Sequence, residues 1–227
     1  MSTFSISPIG VIKTPFEQKL GIPRQPNLCP NIRGTISLEP SFRREDVLRS
    51  LNTFSHLWVV YIFHKSESWR ETIKPPRLGG KRKVGVFASR APHRPNQIGF
   101  SVVKLEGIKE NFDIEISGVD ILNNTPLIDI KPYLSLWDNV DGANNGWVDE
   151  TPPLIPLDVD FSNLDKSILS QLKTEQIDIL KETLCWDPRP AYIDDYSRTY
   201  THNVENLEVT WKRGRDKIEV IKVTKKF

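Results

Sequence analysis

The sequence predicts a mainly β protein, an antiparallel β-barrel followed by a smaller α+β C-terminal domain. Three observations lead there. Strand-like segments recur at short intervals between Phe4 and Tyr133 with one helix-like stretch among them, the pattern of antiparallel sheets rather than of alternating βαβ units. No G-x-G-x-x-G follows any of these segments, so a nucleotide-type fold lacks the glycine turn that cradles its ligand. The texture then changes near residue 140, where Asp, Asn, Gly and Pro crowd ahead of a helical stripe and a hairpin pattern.

Taken in order, Phe4, Ile6, Ile9 and Val11 predict a strand over 4–12 with a kink at Pro8, which cannot donate to a ladder. "TPFEQKLGIPRQPNLCPNIRG" has no period and many prolines and glycines, and reads as a long ordered loop. Thr35 to Leu38 is a short strand. In "SFRREDVLRSLNTF" Val47, Leu48, Leu51 and Phe54 fall at helical spacing, and Glu45 and Asp46 suit the start of a helix, which predicts a helix over 41–54. "HLWVVYIFH" is a continuous run of strand formers, as in a strand covered on both faces or closed into a barrel.

Further strands are predicted at Val84–Ser89, Ile98–Ile108 and Phe112–Gly118, and "PLIDIKPY" alternates Ile128 and Ile130 with Asp129 and Lys131. The domains are read as 4–139, a linker over 140–160, and 161–227. In the last, "SNLD" at 162–165 fits a capping box. Leu164, Ile168, Leu172, Ile177, Leu180 and Leu184 supply the stripe of one or two helices, and residues 207–223 read as a hairpin.

Composition narrows the function classes. The chain has 227 residues, 38% of them hydrophobic and 26% charged, with a net charge of +2, which suits a folded globular protein and leaves nucleic acid open, since binding needs local clusters rather than a high total. Only Cys29 and Cys185 are present, without CxxC spacing, so neither a disulfide framework nor a zinc site is expected, and the compartment is read as reducing. His56, His64, His93 and His202 show no ligand spacing, so no metal is expected. No signal peptide and no membrane-length apolar run is seen, which points to a soluble cytoplasmic protein with no membrane partner.

Four stretches can carry chemistry. In "SRAPHRPNQIG" Pro92 and Pro95 stiffen a turn that presents Arg90, His93 and Arg94; such cations either receive an anion or pair within the fold. Asn123, Asn124 and Thr125 form either a hairpin turn or the rim of a polar ligand site. "KLGIPRQPN" offers Arg24, Gln25 and Asn27 on another stiff loop. "KPPRLGGKRK", close to Trp69, is either a solvated loop or a footprint for single-stranded RNA.

The stretches "PRQP", "FSHLWVVYIFH", "KPPRLGG", "VGVFASRAPHRPNQIG", "TPLIDIKPY" and "DPRPAY", in this order along nearly the whole chain, resemble the TsaA/TrmO family of tRNA adenine N6-methyltransferases. The resemblance implies a TsaA-like barrel that binds S-adenosyl-L-methionine, a small C-terminal domain, a homodimer, and methylation of N6 of threonylcarbamoyladenosine at position 37, in the anticodon loop of threonine tRNAs. It implies cofactor contacts at Gln25, Pro26, Asn27, His64, Lys65, Arg90, Phe100, Asn123, Asn124, Thr125 and Pro126. Candidates for assisting the acceptor nitrogen are His64, Asp129 and Tyr133. The chain departs from the family pattern at "HRPNQIG", in place of "FRPNPIG", and at "NNTP", in place of "DGTP". The alternatives are a non-catalytic RNA-binding barrel and a methyltransferase with another substrate.

Overall fold

The computed structural model describes residues 3–189, 193 and 195–226. The described strands are, in chain order, β1 (Gly10–Lys13), β2 (Arg33–Leu38), β3 (His56–Ile62), β4 (Thr72–Ile73), β5 (Val84–Gly85), β6 (Ile98–Ile108), β7 (Ile114–Ser117), β8 (Thr125–Pro132), β9 (Asp158–Asp160), β10 (Thr199–Val204), β11 (Leu207–Arg213) and β12 (Lys217–Lys225). Helices are α1 (Glu45–Leu48), α2 (Ser135–Asp138), α3 (Lys166–Leu169) and α4 (Thr174–Leu184).

Six strands close an antiparallel barrel in the order β1-β2-β7-β6-β3-β8. Closure removes the sheet edges that would otherwise invite pairing with another chain. Strand alternation decides what fills it: Leu57, Val59 and Tyr61 of β3 point inward and are buried, while Trp58, Val60 and Ile62 point outward and are half-buried. Of the two readings of "HLWVVYIFH", closure into a barrel is the one the fold takes. Ile36, Leu57, Val59, Val103, Ile116 and Leu127 are fully excluded from solvent in the barrel core. Each such side chain is worth about 1.5–3 kcal/mol.

A second core belongs to the four-stranded sheet β10-β11-β12-β9 with α3 and α4. There Trp211 is fully buried and stacks on Tyr200 at 5.0 Å. The predicted hairpin is present as β11 and β12, and β9, at the end of the stretch read as a linker, joins the sheet parallel to β12. Strand β10, which the sequence reading did not include, alternates buried Tyr200, His202 and Val204 with the more exposed Thr199, Thr201 and Asn203.

Several local expectations are corrected. The predicted helix over 41–54 is broken into tight turns and the short α1, because Arg44 is extended and Ser50 takes a left-handed φ of 66°. The stretch has to cross one end of the barrel with Leu48 and Leu51 against the core, and so short a helix has little stability of its own to resist. The strand over 4–12 shrinks to Gly10–Lys13, since Phe4 and Ile6 lie exposed at 85% and 55% and have nothing to cover. Val84–Ser89 turns after Gly85, and Phe112 takes a φ of 66° before β7 begins. At 162–165 the cap is Asp165, which accepts from the Ser167 N–H at 2.8 Å, rather than Ser162.

Among the described residues no helix is long and apolar enough to cross a membrane. Nor do three or more His, Cys, Asp or Glu side chains among them converge as a metal site would require.

Candidate active site

Strand direction alternates around the barrel, so loops 14–32, 63–97 and 118–124 all leave from one rim. Those loops carry two of the four stretches singled out in the sequence in full, the cationic turn as far as Gln97, and the first two positions of "NNTP". Between them lies a cleft of about 240 Å³, walled by Ile22, Pro23, Phe63, Pro92 and Leu122 and given polarity by His64, Lys65, Asp120 and Thr125. Across the ridge Ala91–Pro92–His93 a second hollow of about 510 Å³ is lined by Arg70, Lys74, Lys83 and His93, with no carboxylate among its lining residues. The proline-stiffened turn is therefore the wall between an apolar cleft and a cationic one.

The predicted positions distribute unevenly. His64 lines the cleft with Nδ1 3.4 Å from Thr125 Oγ1, and burial and the neighbouring Lys65 charge lower its pKa, so the ring is neutral near pH 7. The Lys65 carbonyl accepts from Lys19 Nζ at 2.8 Å. Arg90 donates to Gln25 Oε1 at 3.1 Å. Pro26 is half-buried beside it, and Asn27, at a φ of 62°, donates its N–H to Gly118 O at 3.1 Å. Gly118 takes a φ of 73°, which strains other residues, and a Cβ there would lie 2.4 Å from Asn27 Oδ1.

Asn123 is occupied at both ends of its amide. It accepts from the Thr14 N–H at 3.0 Å and donates to Glu17 Oε1 at 2.6 Å, which ties the 118–124 loop to the 14–32 loop. Asn124 takes a φ of 56°, a left-handed turn that asparagine tolerates. Thr125 Oγ1 donates to Leu122 O at 2.7 Å, and Pro126 follows it, half-buried, into β8. Phe100, Asp129 and Tyr133 stand elsewhere, on the outer wall of the barrel. Register pairs Val60 with both Phe100 and Asp129, and Tyr133 lies 5.8 Å from the Trp58 ring. His64 is thus the one of the three catalytic candidates that lines the cleft.

The two readings of the cationic turn divide between its arginines. Arg94 donates to the carbonyls of Val86 and Ser89 at 3.1 and 2.7 Å and lies over the Phe87 ring, a staple of the turn itself. Arg90 reaches Gln25 and is exposed. Arg24 turns away from the cleft and donates to the carbonyls of Asp187 and Arg189 at 3.1 and 2.6 Å.

Arg24 is one of several ties by which the C-terminal part holds the 14–32 loop. Trp186 Nε1 donates to Leu28 O at 2.8 Å, Glu205 N to Pro15 O at 2.9 Å, and Gly21, at a φ of 94°, packs on the His202 ring. Cys29 and Cys185, distant in sequence, both donate to Glu182 O, at 3.1 and 3.3 Å. Burial raises both thiol pKa values, that of Cys185 to about 11, so they pack rather than react. Pro190, Ala191 and Tyr192 of "DPRPAY" lie outside the described residues.

The sequence reading missed Asp120. Its carboxylate lines the cleft and accepts from Ser101 Oγ at 2.6 Å, and that oxygen is 3.2 Å from the Tyr61 hydroxyl. The available signal was a lone acid between Val119 and Ile121, each 1% exposed. A carboxylate there has to be held by partners or carry a function.

Comparison with known proteins agrees with this geometry. Residues 11–139 match the model of the tRNA-methyltransferase O N-terminal domain, and residues 155–226 that of the TrmO C-terminal domain. A putative S-adenosylmethionine-dependent methyltransferase RcsF of Pseudomonas aeruginosa is 42% identical over 97% of this chain and 98% of its own. The tRNA (adenine(37)-N6)-methyltransferase of Escherichia coli is 35% identical over 93% and 94%. The crystal structure of TrmO from Pseudomonas aeruginosa superposes with a TM-score of 0.80 at 36% identity, covering 98% of this chain and 99% of that one. With both segments matched in order and the barrel shared, the chain belongs to the tRNA-methyltransferase O (TrmO) family.

Proposed function

We propose that this protein methylates N6 of adenine 37 in tRNA with S-adenosyl-L-methionine as donor, and that its acceptor is the threonylcarbamoyl form of that base in threonine tRNAs. The observation that carries the reading is the meeting, at one barrel rim, of an apolar cleft holding a carboxylate with a cationic hollow free of acids. The names of full-length relatives support the reaction; the carbamoyl acceptor is the finer step, supported by the resemblance of the motifs.

The residues fit this donor. Ile22, Pro23, Phe63 and Leu122 offer an apolar slot for a flat adenine, and the rings of Tyr61 and Phe63 offer faces that favour a cation. Gln25, Pro26, Asn27, His64, Lys65, Arg90 and Thr125 are the groups proposed to hold it. When bound, the sulfonium supplies an activated methyl group and its own leaving group. The chain's work is then alignment and exclusion of water. Pro92 and Pro23 stiffen the walls, His64 stays neutral beside Thr125, and Arg90 is preset by Gln25. Arg70, Lys74 and Lys83 face the phosphates that flank an unstacked base.

We also propose the homodimer that the resemblance implies. Phe100, Leu136, Trp137 and Val140 are 54%, 78%, 72% and 68% exposed, and Trp58 joins them by packing on Phe100 and donating to Asp138. Purified protein with S-adenosylmethionine and tRNA tests the activity by nucleoside mass spectrometry. Methylated threonylcarbamoyladenosine is expected from the modified tRNA and little product from an unmodified transcript. Equal methylation of both, or of neither, refutes the acceptor or the reaction respectively.

A further inference from the structure

Asp120 lines the cleft and is given no role by the motifs. Val119 and Ile121 pin its backbone in the barrel core while the side chain faces the cleft. Ser101 Oγ holds Oδ1, with Tyr61 behind it, both from inward positions of the barrel wall. Oδ2 has no side-chain partner among the described residues.

We propose that Asp120 accepts the N6 proton as that nitrogen is methylated. The inference rests on the reading that adenine N6 is the acceptor. As the nitrogen lone pair forms the bond to the methyl carbon, that carbon's bond to the sulfonium sulfur breaks and its pair stays on sulfur, leaving a neutral thioether. The N–H pair becomes the new lone pair on nitrogen, and the proton passes to a carboxylate oxygen of Asp120, which ends neutral.

Proton uptake suits this carboxylate better than the rival imidazole. Protonating His64 sets a cation beside Lys65, whereas protonating Asp120 removes a charge from an enclosed wall. Burial pushes its carboxyl up to about 6, against the Ser101 hydrogen bond and the charge of Arg90, which pull it down. A base in that range works near neutral pH. The other titratable groups around it are Tyr61, His64, Lys65 and Lys19, all lining the same cleft.

The test combines carboxyl-carbon NMR of the donor-free protein, calorimetry with S-adenosylmethionine and S-adenosylhomocysteine, and the pH profile of kcat at saturating donor. Wild type, Asp120→Asn, Ser101→Ala and His64→Asn are compared. Asp120 is expected to titrate near 6. Asp120→Asn should lower kcat by about 100-fold or more, erase the acid limb of the profile and leave both affinities unchanged. Ser101→Ala, by removing a bond to the charged form, should move the NMR titration and the acid limb together to higher pH.

The proposal is overturned by an Asp120→Asn variant with wild-type kcat, or by a titration in the ordinary carboxylate range. It is equally overturned by an acid limb that follows His64 instead, or by weakened sulfonium binding with intact thioether binding, which would make Asp120 a donor contact. Should Asp120→Asn not fold, Ser101→Ala decides, since movement of either titration without the other overturns it. If wild type methylates no tRNA, the proposed function fails while the NMR titration still stands. If wild type is active and Asp120→Asn matches it, only this inference fails.

Discussion

Replacing Gly99 with alanine tests the link between core packing and the cleft. Gly99 faces inward on β6, opposite Tyr61. A Cβ there would lie 2.5 and 2.7 Å from Tyr61 Cε2 and Cζ and 2.8 Å from Phe63 Cζ, against a comfortable carbon–carbon separation of about 3.5–4.0 Å. Both rings must therefore shift by roughly 1 Å. Neither is free to do so, because Tyr61 is tied to Ser101 and packs edge-on against Phe63 at 5.3 Å. Overpacking of this kind costs about 1–3 kcal/mol, and the stiffer unfolded chain returns up to about 1 kcal/mol. The net loss of about 1–2 kcal/mol is read as a fall in Tm of roughly 2–8 °C for a chain of this size. Gly107, on the same strand, has nothing within 4 Å of its would-be Cβ, and its alanine variant should melt at or slightly above wild type. Calorimetric melting of the three proteins decides it. A Gly99→Ala protein as stable as Gly107→Ala would refute the reasoning, and displacement of the Tyr61 hydroxyl should also move the Asp120 titration.

Arg24→Met removes two charge-assisted bonds to the Asp187 and Arg189 carbonyls; about 2–4 kcal/mol should be lost, visible as a lower Tm, and weaker donor binding should follow as the 14–32 loop loosens. Arg90→Ala should weaken S-adenosylmethionine binding in calorimetry and barely move the melting curve, whereas Arg94→Ala should do the reverse, since Arg94 staples Val86 and Ser89. His202 is buried, its Nδ1 accepts from Trp211 Nε1 at 3.0 Å, and burial lowers its titration from 6.5 to about 4. The unfolded chain thus binds its proton first, and stability from this residue is lost as pH falls from 6.5 toward 4, by up to about 3 kcal/mol. Asp120, raised by burial, acts oppositely: its contribution declines as pH rises from 3.8 to about 6. His202→Gln should therefore flatten the acid loss seen in urea melts across pH 4–6.5, and an unchanged profile would exclude His202 as its source. Trp137→Glu should convert a dimer to a monomer in sedimentation; a protein already monomeric as wild type removes the proposed interface.

Much of the fold was legible because barrel strands write their alternation into the chain. Ile98–Ile108 was read with the bounds it has, and Ile114 and Ile116 alternate as the core demands. The 41–54 stretch misled because helical spacing also arises when an irregular segment covers a barrel end with Leu48 and Leu51. At the site, the sequence marked loops that meet at the cleft but not what each side chain does. Arg90 and Arg94 look alike in "SRAPHRP", yet one holds its own turn and the other is presented beside Gln25. Asn123, implied as a cofactor contact by the resemblance, forms a tie between two loops that its motif did not announce.

What the sequence determined alone was local and periodic: the strands, the stiff proline turns, the clustered cations, and the order of motifs that marks the family. Which rim the loops share, that Phe100, Asp129 and Tyr133 face away from the cleft, and that Asp120 faces into it were decided only by closure of the barrel. Closure sets strand direction, and direction decides which residues distant in sequence meet. That information resides in the pairing of strands, and no single segment carries it.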